Sequence, residues 1–429
     1  MTSAPPQERA FLVGVQLPGT STLELDEQMR ELAELCRTDG AEVVGSDVQR
    51  REEVEPALFI GRGKVEELRG RRQNQEFETL VCNEDLSPRQ QRNLEKELDV
   101  KVVDRAEVIL DIFAQHARSR EGRLQVEAAQ LHHWLPRLIG AYDYHRQVGG
   151  IGTRGGPGEQ QIEIERRRVR KRLRDLETEI EDVRAQRDMQ RAGRRRSEHA
   201  TVAIVGYTNA GKSTLLNALT GAGVRAENQV FATLDPTTRR TRLPSGVEIM
   251  LTDTVGFIQK LPTDLVAAFR ATLEEVTYAD VVLEVLDASS PALPRHRETV
   301  DQVLTELGAA AKPRVIALNK SDLVGPATRR RALAELSELG FRQAAAVSAL
   351  GRAGLEDLVR CIEAVVRREM VELELLVPYG REEVLAELRE VGGIDRLEYE
   401  QAGNHVWGRA PERVLQRFDA YRSPTATTS

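Results

Sequence analysis

Cysteine is scarce in this chain: Cys36, Cys82 and Cys361 are the three found in 429 residues. They are far apart, odd in number and without metal-ligand spacing, which excludes a disulfide framework and a cysteine metal site. Uninterrupted apolar runs of 18 or more residues are also absent, so no transmembrane helix is predicted. The first residues lack the basic flank and apolar core of a secretion signal. These absences predict a cytoplasmic protein that binds no membrane.

An overall excess of positive charge is also lacking, since the net charge is −7 and the pI is about 5.8. This balance argues against a simple nucleic-acid coat protein. The charge is uneven, however, because residues 166–196 carry thirteen Lys or Arg against six Asp or Glu. A compact basic element on an acidic body is the electrostatic footprint of a localised nucleic-acid contact.

The most informative stretch begins at Thr201, where an apolar run ending at Val205 precedes a Gly-rich turn and a Leu-rich run. The turn has the G-x-x-x-x-G-K-S pattern of a phosphate-binding loop, between the strand and the helix that this motif requires. Its backbone N–H groups can surround the phosphates, its lysine reaches the β- and γ-phosphates, and its serine ligates Mg²⁺. The predicted loop consists of Gly206, Tyr207, Thr208, Asn209, Ala210, Gly211, Lys212 and Ser213.

Two motifs expected to respond to the γ-phosphate follow in the order that a GTPase domain requires. We expect the Thr233 hydroxyl of the first to complete Mg²⁺ coordination when the γ-phosphate is present. In the second, Asp253 is expected to hold Mg²⁺ through water, and the Gly256 N–H to meet the γ-phosphate. The first motif spans residues 230–238, and its predicted GTP-binding residues are Phe231, Ala232, Thr233, Leu234 and Asp235; the second consists of Asp253, Thr254, Val255 and Gly256.

The base-selecting motif is predicted at the end of the apolar run that precedes Asn319. Asp322 can accept hydrogen bonds from guanine N1–H and the 2-amino group, which adenine cannot supply. Lys320 is expected to pack over the base. The full set is Asn319, Lys320, Ser321 and Asp322, with backbone contacts to the guanine carbonyl from Ser348, Ala349 and Leu350. Five motifs in this order predict GTP; the alternative, a P-loop ATPase or kinase, would need a different base pocket.

The residue after the D-x-x-G motif is Phe257, where Ras-like proteins carry the glutamine that orients the attacking water. A phenyl ring cannot align water, so slow intrinsic hydrolysis is predicted. Two compensations remain open: Asn209 resembles the asparagine of GTPases that bind K⁺ where an arginine finger would sit, or a partner could order the switches. The predicted catalytic residues are Asn209, Lys212, Thr233 and Gly256.

Before this domain, apolar runs alternate with helical patterns, which predicts a small, largely parallel α/β domain. A helical arm follows, with a kink or break expected at Pro136. Its second helix carries a narrow apolar stripe, typical of an antiparallel hairpin, and the Gly-rich tip between the helices is suited to RNA. A solvated charged surface is the alternative for the stem. The predicted RNA contacts are Gly149, Gly150, Gly152, Arg154, Gly155, Gly156 and Gly158.

The predicted fold is therefore α/β: a P-loop G domain with an N-terminal α/β domain carrying a long helical hairpin, plus a small C-terminal α+β module. In that module a strand and a helix precede a hairpin expected around Gly403-Asn404. The predicted boundaries are 1–115 for the N-terminal subdomain, 116–198 for the hairpin arm, 199–366 for the G domain, and 367–429 for the C-terminal module and a disordered tail.

Eight stretches resemble one known family across nearly the whole chain. They are GRGKVEEL from Gly61, EGRLQVEAAQLHHWLPRL from Glu121, GGIGTRGGPGE from Gly149, GYTNAGKST from Gly206, FATLDPTTR from Phe231, TDTVGF from Thr252, LPTDLVAAFRATLEE from Leu261, and NKSD from Asn319. In these residues the chain is similar to HflX-type ribosome-associated GTPases. The tip departs from the family pattern at Gly155-Gly156 and at residues 159–162.

The resemblance implies binding of GTP or GDP with Mg²⁺, whose ligands fall on Ser213 and Thr233. It also implies contact between the N-terminal region and the large ribosomal subunit with its rRNA, GTPase stimulation there, and separation of stalled or idle ribosomes into subunits. We expect a monomer. The alternative function is an RNA-binding scaffold that uses GTP mainly as a structural ligand.

Overall fold

The computed structural model describes residues 7–148, 157–194, 199–221, 230–231, 233–258 and 273–423. These residues form two compact units. The first unit holds the described residues up to Val183 together with Val230 and Phe231, and the second holds the other described residues. Within the described ranges, every helix is too short or too polar to cross a lipid bilayer.

A four-stranded parallel sheet is the centre of the first unit. Its strands are β1 (Arg9–Gln16), β2 (Glu42–Arg50), β3 (Thr79–Cys82) and β4 (Lys101–Asp104), in the order β2-β1-β3-β4. Helices that alternate with them are α1 (Thr22–Thr38), α2 (Arg62–Gln75), α3 (Pro88–Leu98) and α4 (Arg105–His116). The α/β alternation predicted for this region is confirmed.

Helix α3 shows how local sequence sets these elements. Pro88 occupies its first turn, where a missing N–H costs nothing. The Ser87 Oγ accepts a hydrogen bond from the Gln90 N–H at 3.3 Å, and the Gln90 Oε1 accepts one from the Ser87 N–H at 2.9 Å. This capping box satisfies two helix-end donors, and Leu94 and Leu98 then bury the inner face of the helix in the core.

Two long helices, α5 (Arg120–Val148) and α6 (Pro157–Arg194), follow the sheet and form the predicted hairpin. Arg172 of α6 holds Glu127 of α5 with two hydrogen bonds, of 2.7 and 2.8 Å. The buried seam between the helices consists of Leu124, Ala128, Leu173, Leu176 and Ile180.

Of the kink or break expected at Pro136, the break is wrong, because α5 continues through that residue to Val148; the kink stays a prediction. Proline lacks an N–H and crowds the preceding turn, so the carbonyl four residues earlier, that of His132, loses its usual donor. Arg137 adds a side-chain bond in the same turn, since its Nη1 donates to the neighbouring His133 carbonyl at 2.8 Å. Its Nη2 donates to the buried Asp104 carboxylate at 2.6 Å, which ties the helix to the end of β4.

The second unit contains a six-stranded sheet. Its strands are β5 (Ala200–Gly206), β6 (Thr237–Arg242), β7 (Glu248–Asp253), β8 (Val281–Asp287), β9 (Arg314–Asn319) and β10 (Ala344–Ala346), in the order β10-β9-β8-β5-β7-β6. The described helices beside it include α7 (Lys212–Thr220), α8 (Leu293–Glu306), α9 (Pro326–Glu338) and α10 (Leu355–Arg368). The chain order reverses around β5, and ligands of such sheets bind beyond the carboxyl ends of the strands at this point.

A small antiparallel sheet follows in the same unit. It consists of β11 (Val371–Val377), β12 (Gly393–Glu400) and β13 (Gly403–Ala410), with α11 (Glu382–Val391) packed on one face. The hairpin turn falls at residues 401 and 402, earlier than expected. Gly403 already lies in β13 at a φ of +149°. Glycine is required there because a Cβ would stand 2.4 Å from the Val377 carbonyl oxygen. The predicted fold is confirmed: an N-terminal α/β domain carrying a helical hairpin, a P-loop G domain and a small C-terminal α+β module.

Glu284, in the middle of β8, is a fully buried carboxyl group. Burial raises its pKa to about 7, although the Arg314 guanidinium, whose Nη1 lies 3.5 Å away, opposes the shift. Because this pKa is above that of an unfolded glutamate, Glu284 favours folding most at acidic pH. Its contribution is lost as pH rises through about 7.

We therefore expect the effect of Glu284→Gln on the free energy of unfolding, relative to wild type, to be more favourable at pH 8 than at pH 5. The difference in unfolding free energy between variant and wild type should move in favour of the variant by about 3 kcal/mol over that window. Urea denaturation at both pH values measures it. Glu298→Gln, an exposed change on α8, serves as control. Identical pH dependence of all three proteins would contradict the assignment.

Candidate functional site

The predicted phosphate loop connects β5 to α7 at the carboxyl edge of the six-stranded sheet. Gly206 has a φ of +151°, and a Cβ there would stand 2.4 Å from the Val285 carbonyl oxygen. Gly211 has a φ of +92°, and its Cβ would stand 2.3 Å from Asn319 Nδ2. Both positions require glycine because backbone conformation and space each exclude a side chain. The loop therefore wraps closely around the start of α7.

Lys212 is the first residue of α7 and lies buried within the loop. Its Nζ donates to the Tyr207 carbonyl oxygen at 3.0 Å. Burial lowers its pKa to about 8, while the neighbouring Asp253 carboxylate opposes this effect. A desolvated ammonium group held in this way is suited to bind phosphate oxygens.

Three oxygen-bearing side chains from separate motifs converge beside this lysine. Ser213 Oγ donates to Asp253 Oδ2 at 2.5 Å, Thr233 Oγ1 donates to the same oxygen at 2.8 Å, and the two hydroxyl oxygens lie 2.8 Å apart. Burial raises the pKa of Asp253, against the opposing effect of Lys212. Asp253 Oδ1 is buried and has no hydrogen-bond partner among the described residues. A set of hard oxygen atoms with one unpartnered carboxylate oxygen fits Mg²⁺.

The D-x-x-G motif lies directly against the phosphate loop. Thr254 is buried and donates to the Ile204 carbonyl oxygen at 2.7 Å. A Cβ at Gly256 would stand 2.9 Å from both Thr208 Cα and Lys212 Nζ, so glycine allows this close approach. Val255 is buried beside it.

Phe257 continues the same segment and pairs with the loop through its backbone. Its N–H donates to the Gly206 carbonyl at 3.1 Å, and its carbonyl accepts from the Thr208 N–H at 2.7 Å. Its ring is buried. Phe257, at the position of the Ras-like glutamine, is therefore packed inside the protein, and its side chain offers no polar atom to water.

The first switch motif is only partly brought to this cluster. Thr233 reaches it, and Leu234 is buried while Asp235 is half-buried. Ala232 lies outside the described residues. Phe231 belongs to the first unit, where its ring packs 4.5 Å from that of Phe113. The expected role of Phe231 at the nucleotide stays a prediction.

Asn319 of the base-selecting motif joins two loops. Its Nδ2 donates to the Ala210 carbonyl at 2.8 Å, and its Oδ1 accepts from the Ala349 N–H at 3.0 Å. Ser321 is buried and its N–H donates to the Val347 carbonyl at 3.0 Å. The phosphate loop and the base-selecting loops are therefore held together by one amide side chain.

Asp322 lies exposed at this edge, where a hydrogen bond from Ser348 lowers the pKa of its carboxyl group. Leu350 is exposed beyond it. Lys320 Nζ lies 2.7 Å from Asp287 Oδ2, at the carboxyl end of β8. Sequence reasoning missed Asp287, although an acidic residue at the end of a buried strand was a usable signal.

The expected RNA-contact tip lies largely outside the described residues. Gly149, Gly150, Gly152, Arg154, Gly155 and Gly156 are among those not described, and Gly158 lies in the first turn of α6.

Nucleotide affinity should depend on pH through Lys212. Since its pKa is about 8 in the free protein and phosphate binding favours its charged form, the GDP dissociation constant should be constant below pH 8. Above pH 8 it should rise about tenfold per pH unit. GDP titrations between pH 6.5 and 9.0 measure this dependence. The control Lys64→Met, which lies in the first unit, should keep the inflection of the GDP dissociation constant near pH 8. If Lys212→Met also kept this inflection, its assignment to Lys212 would be wrong.

Three family descriptions match successive parts of the chain. Residues 26–114 match "GTP-binding GTPase N-terminal", residues 116–194 match "GTP-binding GTPase Middle Region", and residues 201–320 match "50S ribosome-binding GTPase". Together they cover more than half of the chain, including the phosphate loop and the base-selecting Asn319.

Curated relatives and a solved structure agree with these matches. GTPase HflX of Caldanaerobacter subterraneus subsp. tengcongensis is 45% identical over 413 residues, which cover 96% of this chain and 93% of the relative. GTPase HflX of Escherichia coli is 42% identical over 318 residues, which cover 74% of each chain. The crystal structure of an SsGBP and GDP complex is 26% identical with a TM-score of 0.51, covering 84% of this chain and 99% of the other. The resemblance predicted from the motifs is confirmed: the chain belongs to the HflX family of GTPases and is a GTP hydrolase.

Proposed function

We propose that this GTPase binds the large ribosomal subunit and couples GTP binding and hydrolysis to the splitting or recycling of stalled or idle ribosomes. The match of residues 201–320 to the family described as 50S ribosome-binding GTPase carries the proposal. HflX relatives that align with most of the chain support it. The switch motifs and the basic arm supply the two properties that such a factor needs, a nucleotide response and an RNA-binding surface.

In the proposed nucleotide site, Lys212 binds the β- and γ-phosphates and the loop backbone surrounds them. Ser213 and Thr233 would hold Mg²⁺ directly, and Asp253 would hold it through water; the ion supplies charge neutralisation to the phosphates when it is bound. Because Thr233 and Asp253 lie on separate switch motifs, the γ-phosphate can order both segments together.

Guanine is proposed to lie between Lys320 and the loop that carries Ser348 and Ala349. The Asp322 carboxylate accepts from the two donors on the guanine edge, while its low pKa keeps it ionised. Asn319 holds this loop against the phosphate loop, so recognition of the base and of the phosphates share one support.

Hydrolysis without a partner is proposed to be slow, because the buried Phe257 ring cannot orient water. Asn209, at a φ of +58°, stands in the loop position from which the asparagine of K⁺-binding GTPases acts. K⁺ at this position or large-subunit contacts could each complete the transition-state geometry. A comparison of turnover in K⁺ and Na⁺ buffers, with and without large subunits, separates the two.

Helix α6 offers a surface for rRNA below the Gly-rich tip. Four cations within two turns are exposed, and none of them forms an ion pair with another described residue: Arg168, Arg170, Lys171 and Arg174. Exposed cations in such a cluster can neutralise phosphates of an RNA backbone and release its counterions. We propose that this cluster and the tip form the ribosome-contacting face of the arm.

Sucrose-gradient sedimentation with a non-hydrolysable GTP analogue tests this function. The wild-type protein should sediment with large subunits, and alanine at the four α6 cations should weaken association roughly tenfold or more and reduce its salt dependence. GDP affinity should not change. Glu177→Gln with Glu181→Gln, which removes exposed charges from the same helix, is the control.

Two outcomes would contradict the proposal. Absence of association in the GTP-analogue state would exclude a ribosome factor. Equal association with the GTP analogue, GDP and no nucleotide, without stimulated turnover, would favour an RNA-binding scaffold that uses GTP as a structural ligand.

A further inference from the structure

One ring of the phosphate loop is stacked on a ring of α8 that belongs to none of the nucleotide motifs. The Tyr207 ring and the His296 ring have centroids 3.7 Å apart and planes inclined by 10°. Tyr207 is the second residue of the loop and is buried, and His296 lies in the first turn of α8. The stack therefore connects the loop to a helix outside the nucleotide motifs.

The backbone around Tyr207 joins the phosphate-binding lysine to the second switch. The Tyr207 carbonyl accepts from Lys212 Nζ at 3.0 Å. The residues on either side, Gly206 and Thr208, form the two backbone hydrogen bonds to Phe257. Any displacement of Tyr207 would therefore move both the lysine and the segment that follows the D-x-x-G motif.

The chain turns here from strand to helix. Gly206, the last residue of β5, and Asn209 lie on either side of the Tyr207-Thr208 pair at φ values of +151° and +58°, outside the regions that regular helices and strands occupy. A large side chain fixed against a helix restrains this turn further, since stacked aromatic pairs add interaction beyond the burial of their area.

The His296 ring of this stack is neutral. Burial lowers the pKa of His296 to about 4, with Asp287 opposing the shift, so the imidazole is uncharged at neutral pH. Proton transfer and cation–π attraction are therefore not needed to explain the contact. A phenyl ring at this position could provide a similar stack.

We propose that His296 is a positioning residue for GTP hydrolysis, whose stack on Tyr207 holds Lys212 and the Phe257 segment in register with the phosphates. The inference rests on nucleotide binding at this loop and does not depend on ribosome association. It assigns His296 a role through Tyr207, with no contact of its own to the nucleotide.

Release of a fluorescent GDP analogue and single-turnover GTP hydrolysis, both without ribosomes, test the proposal. His296→Ala should speed GDP release roughly five- to tenfold and slow the hydrolytic step by a similar factor, as expected for the loss of one stacked pair. His296→Phe should restore both rates to within about twofold of wild type. Thr299→Ala, a half-buried change one turn further along α8, should have no effect.

A double-variant comparison separates positioning from a general loss of structure. In a Tyr207→Leu background, His296→Ala should cause no further change, because the pair is already broken. Wild-type rates in a folded His296→Ala protein, a His296→Phe protein as impaired as His296→Ala, or additive effects would each overturn the proposal. If His296→Ala does not fold, His296→Leu, which fills the space without a planar ring, takes its place under the same criteria. Ribosomes are absent from these assays, so their result is independent of the proposed ribosomal function.

Discussion

Asp322→Asn should exchange guanine for xanthine as the preferred base. The carboxylate of Asp322 offers two acceptors to the N1–H and 2-amino donors of guanine, whereas an amide offers one acceptor and one donor. Xanthine carries a carbonyl in place of the 2-amino group and so complements the amide. We expect GDP affinity to fall at least about a hundredfold, because a donor is left facing a donor once the base covers them.

Calorimetric titration of GDP and XDP into both proteins in magnesium buffer measures this exchange. The variant should bind XDP within about tenfold of the affinity that the wild type has for GDP. Glu356→Gln, an exposed carboxylate-to-amide change at the start of α10, should leave both affinities unchanged. Retention of GDP affinity by Asp322→Asn would place guanine recognition elsewhere.

Ser213→Ala should have the second large effect, through Mg²⁺. The Ser213 hydroxyl is one of two that converge on Asp253 Oδ2, and its removal would leave the proposed ion one protein ligand short. We expect the affinity for GTP with Mg²⁺ to fall roughly a hundredfold and hydrolysis to fall with it. Removing Mg²⁺ with EDTA should weaken nucleotide binding by the wild type and change that of the variant little.

The matched control is Ser337→Ala, which removes an exposed hydroxyl from α9. Its nucleotide binding and its response to EDTA should be those of the wild type. An equally large EDTA effect in Ser213→Ala and in the wild type would show that the serine does not hold the ion.

The sequence allowed the fold and the nucleotide motifs to be predicted because their signals are local. The capping box of Ser87 and Gln90 sets a helix start within four residues, and the loop from Gly206 to Ser213 follows a strand and opens a helix as the motif requires. Motifs that follow parallel strands meet at the carboxyl edge of the sheet. The motifs that follow apolar runs in the sequence could therefore be predicted to lie close together.

Other features depended on contacts between residues far apart in the chain. The helix continues through Pro136, and Arg137 beside it donates to Asp104 at the end of β4, a contact between distant residues that no helix-breaking rule includes. Phe231 lies in a motif with a nucleotide role but packs on Phe113 in the first unit. The stack of His296 on Tyr207 joins residues 89 positions apart, beyond the range of any spacing pattern.

The most direct test of the central claim is large-subunit association of Asp322→Asn with two nucleotide analogues. If the base-selecting site controls ribosome binding through the switches, the wild type will associate with non-hydrolysable GTP and the variant with non-hydrolysable XTP. The contradicting result is a variant that associates equally with large subunits in the presence of the GTP analogue, of the XTP analogue or of no nucleotide. The occupied nucleotide site would then not direct this protein to the ribosome.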